Sequence, residues 1–458
     1  MTPLDRRRFL KWSSASVAAL GLAGMPRFLR RTQAAPVANG NKLFFIFLRG
    51  GLDGIQFVIP YGDTGGTQKT YQEARGNIAV PQVDAHDLGN SFAWLNPSCQ
   101  DTSVPDGPRL ADIFHGTLDV ASQVRLALMH RVGYANQNRS HFSSQQIWEN
   151  GVPTSIALEE GVLNRYVTSY RDPMSQLQAA TLATNQMVMM KGPTLIPVLR
   201  SINDYALPPN VPLGVMGGPL GNHLPLAYGQ TGFDPGIPYN PETYATGSTL
   251  LDSLQFFEEN VIGVPYSPEL EAIPYYEAIS DRGFSNFIKD SARLLKQVDA
   301  LEIVGANMGG YDTHGAENQS FPRLMRDLSL AFTALFYDLQ PIWNRCLVTT
   351  MSEFGRTSDV NGNSGTDHAE STCMMCMGES VNGGVYNCDT TTWSPGDMYS
   401  TSNGRYLAHN TDFRNIYQEI LTKHLGDPEG HIDTIIPDFS SLAAENTGGY
   451  FTPLDFLA

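Results

Sequence analysis

The sequence predicts an α/β protein with a mostly parallel central sheet and helices on both faces. Apolar runs of strand length recur at 43–48, 125–131, 302–307 and 346–351. They lack the apolar–polar alternation of a half-solvated strand, as strands covered on both sides do. Helical spacing returns between them, most clearly in 321–339, FPRLMRDLSLAFTALFYDL, so strand, loop and helix alternate.

The N-terminus reads differently. Residues 5–10 are DRRRFL, then comes the modestly apolar KWSSASVAALGLAGM, then small residues around TQAAPVANG. Basic, apolar and small-residue regions in that order are the layout of a twin-arginine export signal. We expect residues 1–35 to be removed near Ala34 or Ala35, leaving 42–458 as a single domain. The apolar part is too short and too rich in Ser and Gly to span a bilayer. The expected location is therefore periplasmic or extracellular, with the twin-arginine machinery as a partner.

The chain carries a net charge of −16. Segment 1–35 holds Arg6, Arg7, Arg8, Lys11, Arg27, Arg30 and Arg31 against Asp5 alone, so the remainder is more acidic still. That sign argues against nucleic acid or an anionic membrane as partner and suits cation binding. The five cysteines are Cys99, Cys346, Cys373, Cys376 and Cys388. Cys373-Met-Met-Cys376 has metal-knuckle spacing without a second pair. It reads as a soft-metal or redox site, as half of a disulfide framework, or as a buried strand of flexible apolar residues.

In chain order, KLFFIFL at 42–48 stops in RGGLDG and puts Asp53 past a strand end. Open α/β sheets bind ligands outside such carboxyl ends. VRLALMHRV at 124–132 leads through GYANQNRS to a helix at 141–150, with Arg139, Ser140 and His141 at the junction. Residues 205–270, rich in Pro, Gly, Tyr and Asn, read as a long ordered insertion or lid, part of which is expected to cover the cleft. LEIVGANM at 301–308 stops in GGYDTHG, which carries Asp312 and His314; CLVTTM at 346–351 stops in SEFGRT, which carries Glu353 and Arg356. A Gly/Asn-rich loop then returns Asp367 and His368, and 378–408 is a second loop-rich region.

Parallel strands deliver such loops to one edge, where Asp53, Asp312, His314, Glu353 and His368 are expected to converge with Asp367 close by. Alternation puts Asp312 and His314 on one face, a workable pair for a divalent ion. Carboxylate with imidazole favours Zn, Mn or Fe, and carboxylate alone Mg or Ca. Ser140 reads equally as a helix N-cap and as a nucleophile at the positive end of a helix. Arg139 suits an anionic ester group, and His141 and Arg356 complete the candidate catalytic set.

The motifs FLRGGLDGIQFVIP, NRSHF, WENG, GGYDTHG, VTTMSEFGRT, GTDHA and NTDFRNIYQEIL, in this order, resemble a bacterial domain family of unknown function. That family is commonly exported by the twin-arginine route and grouped with the alkaline-phosphatase-like superfamily of sulfatases, phosphodiesterases and cofactor-independent phosphoglycerate mutases. The resemblance covers roughly 42–428. It implies an alkaline-phosphatase-like three-layer sandwich, with Asp53 as first-strand metal ligand and Ser140 near the nucleophile's place. Asp312 and His314 would bind one of one or two divalent ions (Zn, Mn, Ca or Mg). Ser352-Glu353-Phe354-Gly355 would stand for a Ser-Asp-His-Gly strand end, and His368 for the late histidine ligand. The sequence departs from that pattern: Glu353 replaces Asp, Phe354 replaces His, Ala369 and Ser143 replace a usual Gly and Asp, and no Cys-x-Pro-x-Arg stretch occurs.

The expected function is an exported metal-dependent hydrolase or transferase acting on a phosphate or sulfate ester. One alternative is a degenerate, non-catalytic binder of a metal or anionic glycan. A second is a secreted soft-metal or redox protein using Cys373, Met374, Met375, Cys376 and Met377.

Overall fold

The computed structural model describes residues 40–99, 110–115, 125–170, 177–204, 256–426 and 431–458. The predicted signal at 1–35, and 205–255 of the predicted insertion, lie outside the described residues.

Nine strands among the described residues form the central sheet. In chain order they are β1 (Lys42–Leu48), β2 (Arg125–Gly133), β3 (Ala179–Leu182), β4 (Val198–Leu199), β5 (Ile303–Met308), β6 (Cys346–Met351), β7 (Thr372–Gly378), β8 (Gly384–Tyr386) and β9 (Thr411–Asp412). Their order across the sheet is β8-β2-β7-β6-β1-β5-β3-β4, with β9 beside β2. Every pairing is parallel except those of β7 with β6 and β2. The four predicted strands are β1, β2, β5 and β6.

The helices that pack on the sheet include α1 (His141–Asn150), α2 (Val162–Tyr170), α3 (Arg282–Gln297), α4 (Glu317–Asp338) and α5 (Phe413–Glu419). Phe44, Ile46 and Leu48 of β1 join one core with Ile288, Leu295, Phe332 and Leu335 of α3 and α4. Leu43, Phe45 and Phe47 join the other with Trp148, Tyr166 and Phe413 of α1, α2 and α5. A strand sends successive side chains to opposite faces. With helices over both faces, both sets must be apolar, which is why KLFFIFL does not alternate. Each such Phe contributes roughly 1.5–3 kcal/mol by burial.

The same division corrects the cysteine readings. Cys373, Met375 and Met377 of β7 enter the first core, while Met374 and Cys376 enter the second. The two thiols therefore face opposite layers and cannot share an ion or a bridge. All five cysteines are free and buried, and burial pushes Cys346 and Cys376 up to about 12. The CMMC stretch is the interior strand of the three readings.

Within the predicted insertion or lid, only 256–270 fall among the described residues. Tyr266 Oη and the Glu269 amide donate to Asp338 at 2.6 and 3.1 Å. Asp338 ends α4, just before β6 begins. This part of the segment thus lies at the amino edge of the sheet, so any cover over the strand ends would come from 205–255.

Candidate metal centre

The carboxyl ends of β1, β2, β5 and β6 meet because the backbone there approaches closely. Gly50 and Gly51 have φ of 121° and 82°. A Cβ at Gly50 would lie 2.4 Å from the Asp312 amide nitrogen, and one at Gly51 would lie 2.5 Å from the Phe354 ring. Only glycine lets the end of β1 fold against both loops. Beyond β6 the chain forms a hairpin. The Gly355 amide donates to Glu370 O at 2.9 Å, the Ala369 amide to Gly355 O at 3.0 Å, and the Thr357 amide to Asp367 O at 2.9 Å. The Gly/Asn-rich loop is the tip of this hairpin, and it returns Asp367 and His368 beside the strand end that carries Glu353.

Three imidazoles then face one carboxylate. Nε2 of His141, His314 and His368 lie 3.3, 3.2 and 3.3 Å from Asp312 Oδ1. Nε2 of His314 and His368 are 2.9 Å apart. Each ring has an acceptor at its other nitrogen. His141 Nδ1 is 2.8 Å from Glu353 Oε1, His314 Nδ1 is 3.1 Å from Asp367 Oδ1, and His368 Nδ1 is 2.8 Å from Arg139 O. Such acceptors hold the proton on Nδ1 and turn the lone pair of Nε2 inward. His141 Nε2 is buried without a hydrogen-bond partner. Inward lone pairs at these distances repel unless a proton or a cation lies among them. Nε2 of His141 and His368 and Asp312 Oδ1 form a group that could hold an ion, and His314 Nε2 stands beside it, 3.2 Å from Asp312 Oδ1. Imidazole with carboxylate is a donor set that a divalent ion accepts.

The electrostatics follow from these contacts. Burial would raise Asp312, but hydrogen bonding and charge from Arg356, with help from His368 and His141, bring it to about 2. Burial would likewise raise Glu353, yet donors from His141, Gln145 and Gly50 hold it below the usual carboxylate range. The hydrogen bond to Glu353 raises His141 against its burial, whereas burial lowers His368. Asp312 and His314 keep about half of their side-chain surface exposed, at 49% and 46%. The centre is open to solvent on that side.

The structure brings some predicted residues to the centre and removes others. Asp312, His314 and His368 converge, and His141, expected to act in catalysis, joins them. Glu353 is fully buried, with Oε1 engaged by Gly50, His141 and Gln145; it orients His141 instead of offering a ligand. Asp367 similarly orients His314 and also accepts from Asn361 Nδ2 at 3.1 Å.

Asp53 is corrected outright. Its carboxylate caps the short helix Gly54–Phe57, accepting from the Gln56 amide at 2.9 Å, and forms a buried ion pair with both terminal nitrogens of Arg75. Arg356 is corrected too. It is buried and donates to the carbonyls of Gly50, Gly51, Tyr311 and Thr366 as well as to Asp312, so it fastens the loops together and has no face for a substrate. Ser140 is exposed at the N-terminus of α1, and its hydroxyl makes no capping bond. Arg139 is 42% exposed and 3.3 Å from Glu370.

Sequence reasoning missed several supporting groups. Gln145 lies four residues after His141, on the same helical face, and that spacing was available as a signal. Phe354, noted only as a lost imidazole, packs its ring 4.9 Å from His141 and 4.7 Å from His368 and wedges both in place. Arg75 and the Arg139 carbonyl carry no sequence signal for their roles.

Residues 292–430 match a family described as a protein of unknown function (DUF1501). The matched span holds Asp312, His314, Glu353, Asp367 and His368, while Asp53 and Arg139–His141 precede it. No curated protein matches the chain.

Proposed function

We propose that the chain is a metal-dependent hydrolase or transferase acting on a phosphate or sulfate ester. The convergence of three Nε2 atoms and Asp312 at a solvent-open edge carries this reading. A divalent ion held there would polarise an ester oxygen and favour attack by a hydroxyl or water. Ser140 offers a hydroxyl free of capping duty at the N-terminus of α1, where backbone amides favour an anion. Arg139, next to it and partly exposed, adds positive charge along the same rim. Glu353, Asp367 and the Arg139 carbonyl keep the imidazoles in register, and Phe354 wedges two of the rings.

The commitment of Asp53 to Arg75 favours one ion over two. An alkaline-phosphatase-like sandwich accords with the mostly parallel sheet and the strand-end placement of these groups. Export by the twin-arginine route to the periplasm or beyond is part of the same proposal. Replacing Arg6, Arg7 and Arg8 by Lys should then retain the protein in the cytoplasm, as read by fractionation.

Elemental analysis of purified protein, with turnover of aryl phosphate and aryl sulfate esters by wild type and His314→Ala, tests the reading. We expect about one divalent ion per chain and turnover lost in the variant. Bound metal without turnover of either ester class would favour the non-catalytic binder. The wedged Phe354 and the fully engaged Arg356 are the observations on that side.

A further inference from the structure

Two arginines lie against one ring beside this centre. The guanidinium carbon of Arg139 is 4.9 Å from the Tyr406 centroid, and that of Arg405 is 5.5 Å from it. The ring is buried, at 7% exposure, and Arg405 is exposed. Glu370 answers the charge of Arg139 at 3.3 Å. Arg405 forms no ion pair among the described residues, so the pair leaves a surplus positive charge. In a chain of net charge −16, two guanidiniums against one ring make a local basic spot that favours an anion.

Their position is fixed relative to the imidazoles. The Arg139 carbonyl receives His368 Nδ1–H at 2.8 Å, and Glu370 is two residues beyond His368. Ser371 Oγ donates to Leu407 O at 2.8 Å, which fastens the 405–407 segment to the base of the hairpin. Arg405 is close enough for its charge to act on Asp367, but Asp367 Oδ1 is already engaged by His314 and Asn361. The arginines thus share a rim with the centre without belonging to its ligand set.

We propose that Arg139 and Arg405, spaced by the Tyr406 ring, form a subsite for a second anionic group, so that the preferred ester carries at least two such groups. The first would lie at the imidazole–Asp312 centre and the second at the arginines. The placement of the first group rests on the hydrolase reading. The arginine subsite itself does not.

The test uses benzenesulfonate and 1,3-benzenedisulfonate, non-hydrolysable probes with one and two anionic groups, titrated calorimetrically into the full chain. The chain is used both zinc-loaded and chelator-treated. The disulfonate should bind zinc-loaded wild type about tenfold more tightly than the monosulfonate, and Arg405→Gln should remove that preference. In chelator-treated protein the weaker binding that remains should still be lost in Arg405→Gln. Arg405 is exposed, so this variant should fold, and its thermal midpoint is measured alongside. A preference that survives Arg405→Gln, or equal binding of both sulfonates by wild type and variant, would overturn the subsite. Absence of zinc uptake and of ester turnover, with Arg405-dependent sulfonate binding intact, would instead overturn the hydrolase reading and leave the subsite standing.

Discussion

Two charged clusters stand at the carboxyl edge of one sheet, and they resolve the same problem differently. In the buried cluster, Arg75 neutralises Asp53 with both terminal nitrogens, and side-chain exposure is 0% for each. Glu317, at the start of α4, is held through Oε2 by Thr366 at 2.7 Å, while Oε1 has no partner. Burial, then the charge of Asp53, pushes Glu317 upward. In the open cluster no cationic side chain among the described residues answers the inward lone pairs of His141, His314 and His368; Arg356 reaches only Asp312. A carboxylate at a strand end is therefore not yet a metal ligand. Asp53 is enclosed with its arginine, whereas Asp312, which also accepts from Arg356, keeps a face toward the imidazoles and solvent.

The largest effect should come from breaking the buried cluster. Arg75→Met leaves Asp53 and Glu317 without compensation and should cost about 3–5 kcal/mol of stability, measured by chemical denaturation. His314→Ala, at a half-exposed site, should stay within about 1 kcal/mol of wild type after chelator treatment. Equal losses in the two variants would erase the distinction between the clusters.

Metal should stabilise only through the open cluster. At a free zinc concentration of about 100 times Kd, wild type should gain about 2.7 kcal/mol. His368→Ala should gain nothing, as read by thermal midpoints with and without chelator. A zinc response that persists in His368→Ala would place the ion elsewhere.

A smaller effect is expected one contact outward. Asp367→Asn removes the carboxylate behind His314 and should weaken zinc about 10- to 100-fold, read by competition with a chromogenic chelator. Asp53→Asn should leave zinc affinity unchanged if the protein still folds, because its carboxylate belongs to Arg75.

The smallest effect concerns pH in the chelator-treated protein. His141 is raised above its ordinary value of 6.5 by Glu353. Its contribution to stability is therefore full below 6.5 and is lost as pH rises through the raised value. His368, lowered by burial, titrates on the other side and costs stability only below 6.5. The denaturation midpoint should fall more steeply above pH 6.5 in wild type than in His141→Gln, where the raised Glu317 still contributes to the fall. An unchanged slope in the variant would remove His141 from that role.

The sequence by itself determined the sheet's centre. β1, β2, β5 and β6 are covered on both faces, so both side-chain parities had to be apolar, and that pattern is local. It also determined that Asp312 and His314 share a face, because two residues is one strand period. The two-residue strands β4 and β9 were not legible, since a pairing that short leaves no pattern. Only the tertiary structure decided the ligand set. Asp53 and Glu353 look alike at their strand ends, yet one meets Arg75 and the other meets His141, at separations of 22 and 212 residues. His141 faces inward because Glu353 holds its Nδ1, and His368 because a backbone carbonyl does. A carbonyl carries no residue identity, and a counter-ion that arrives from a distant loop leaves no trace in the spacing of the acid it neutralises.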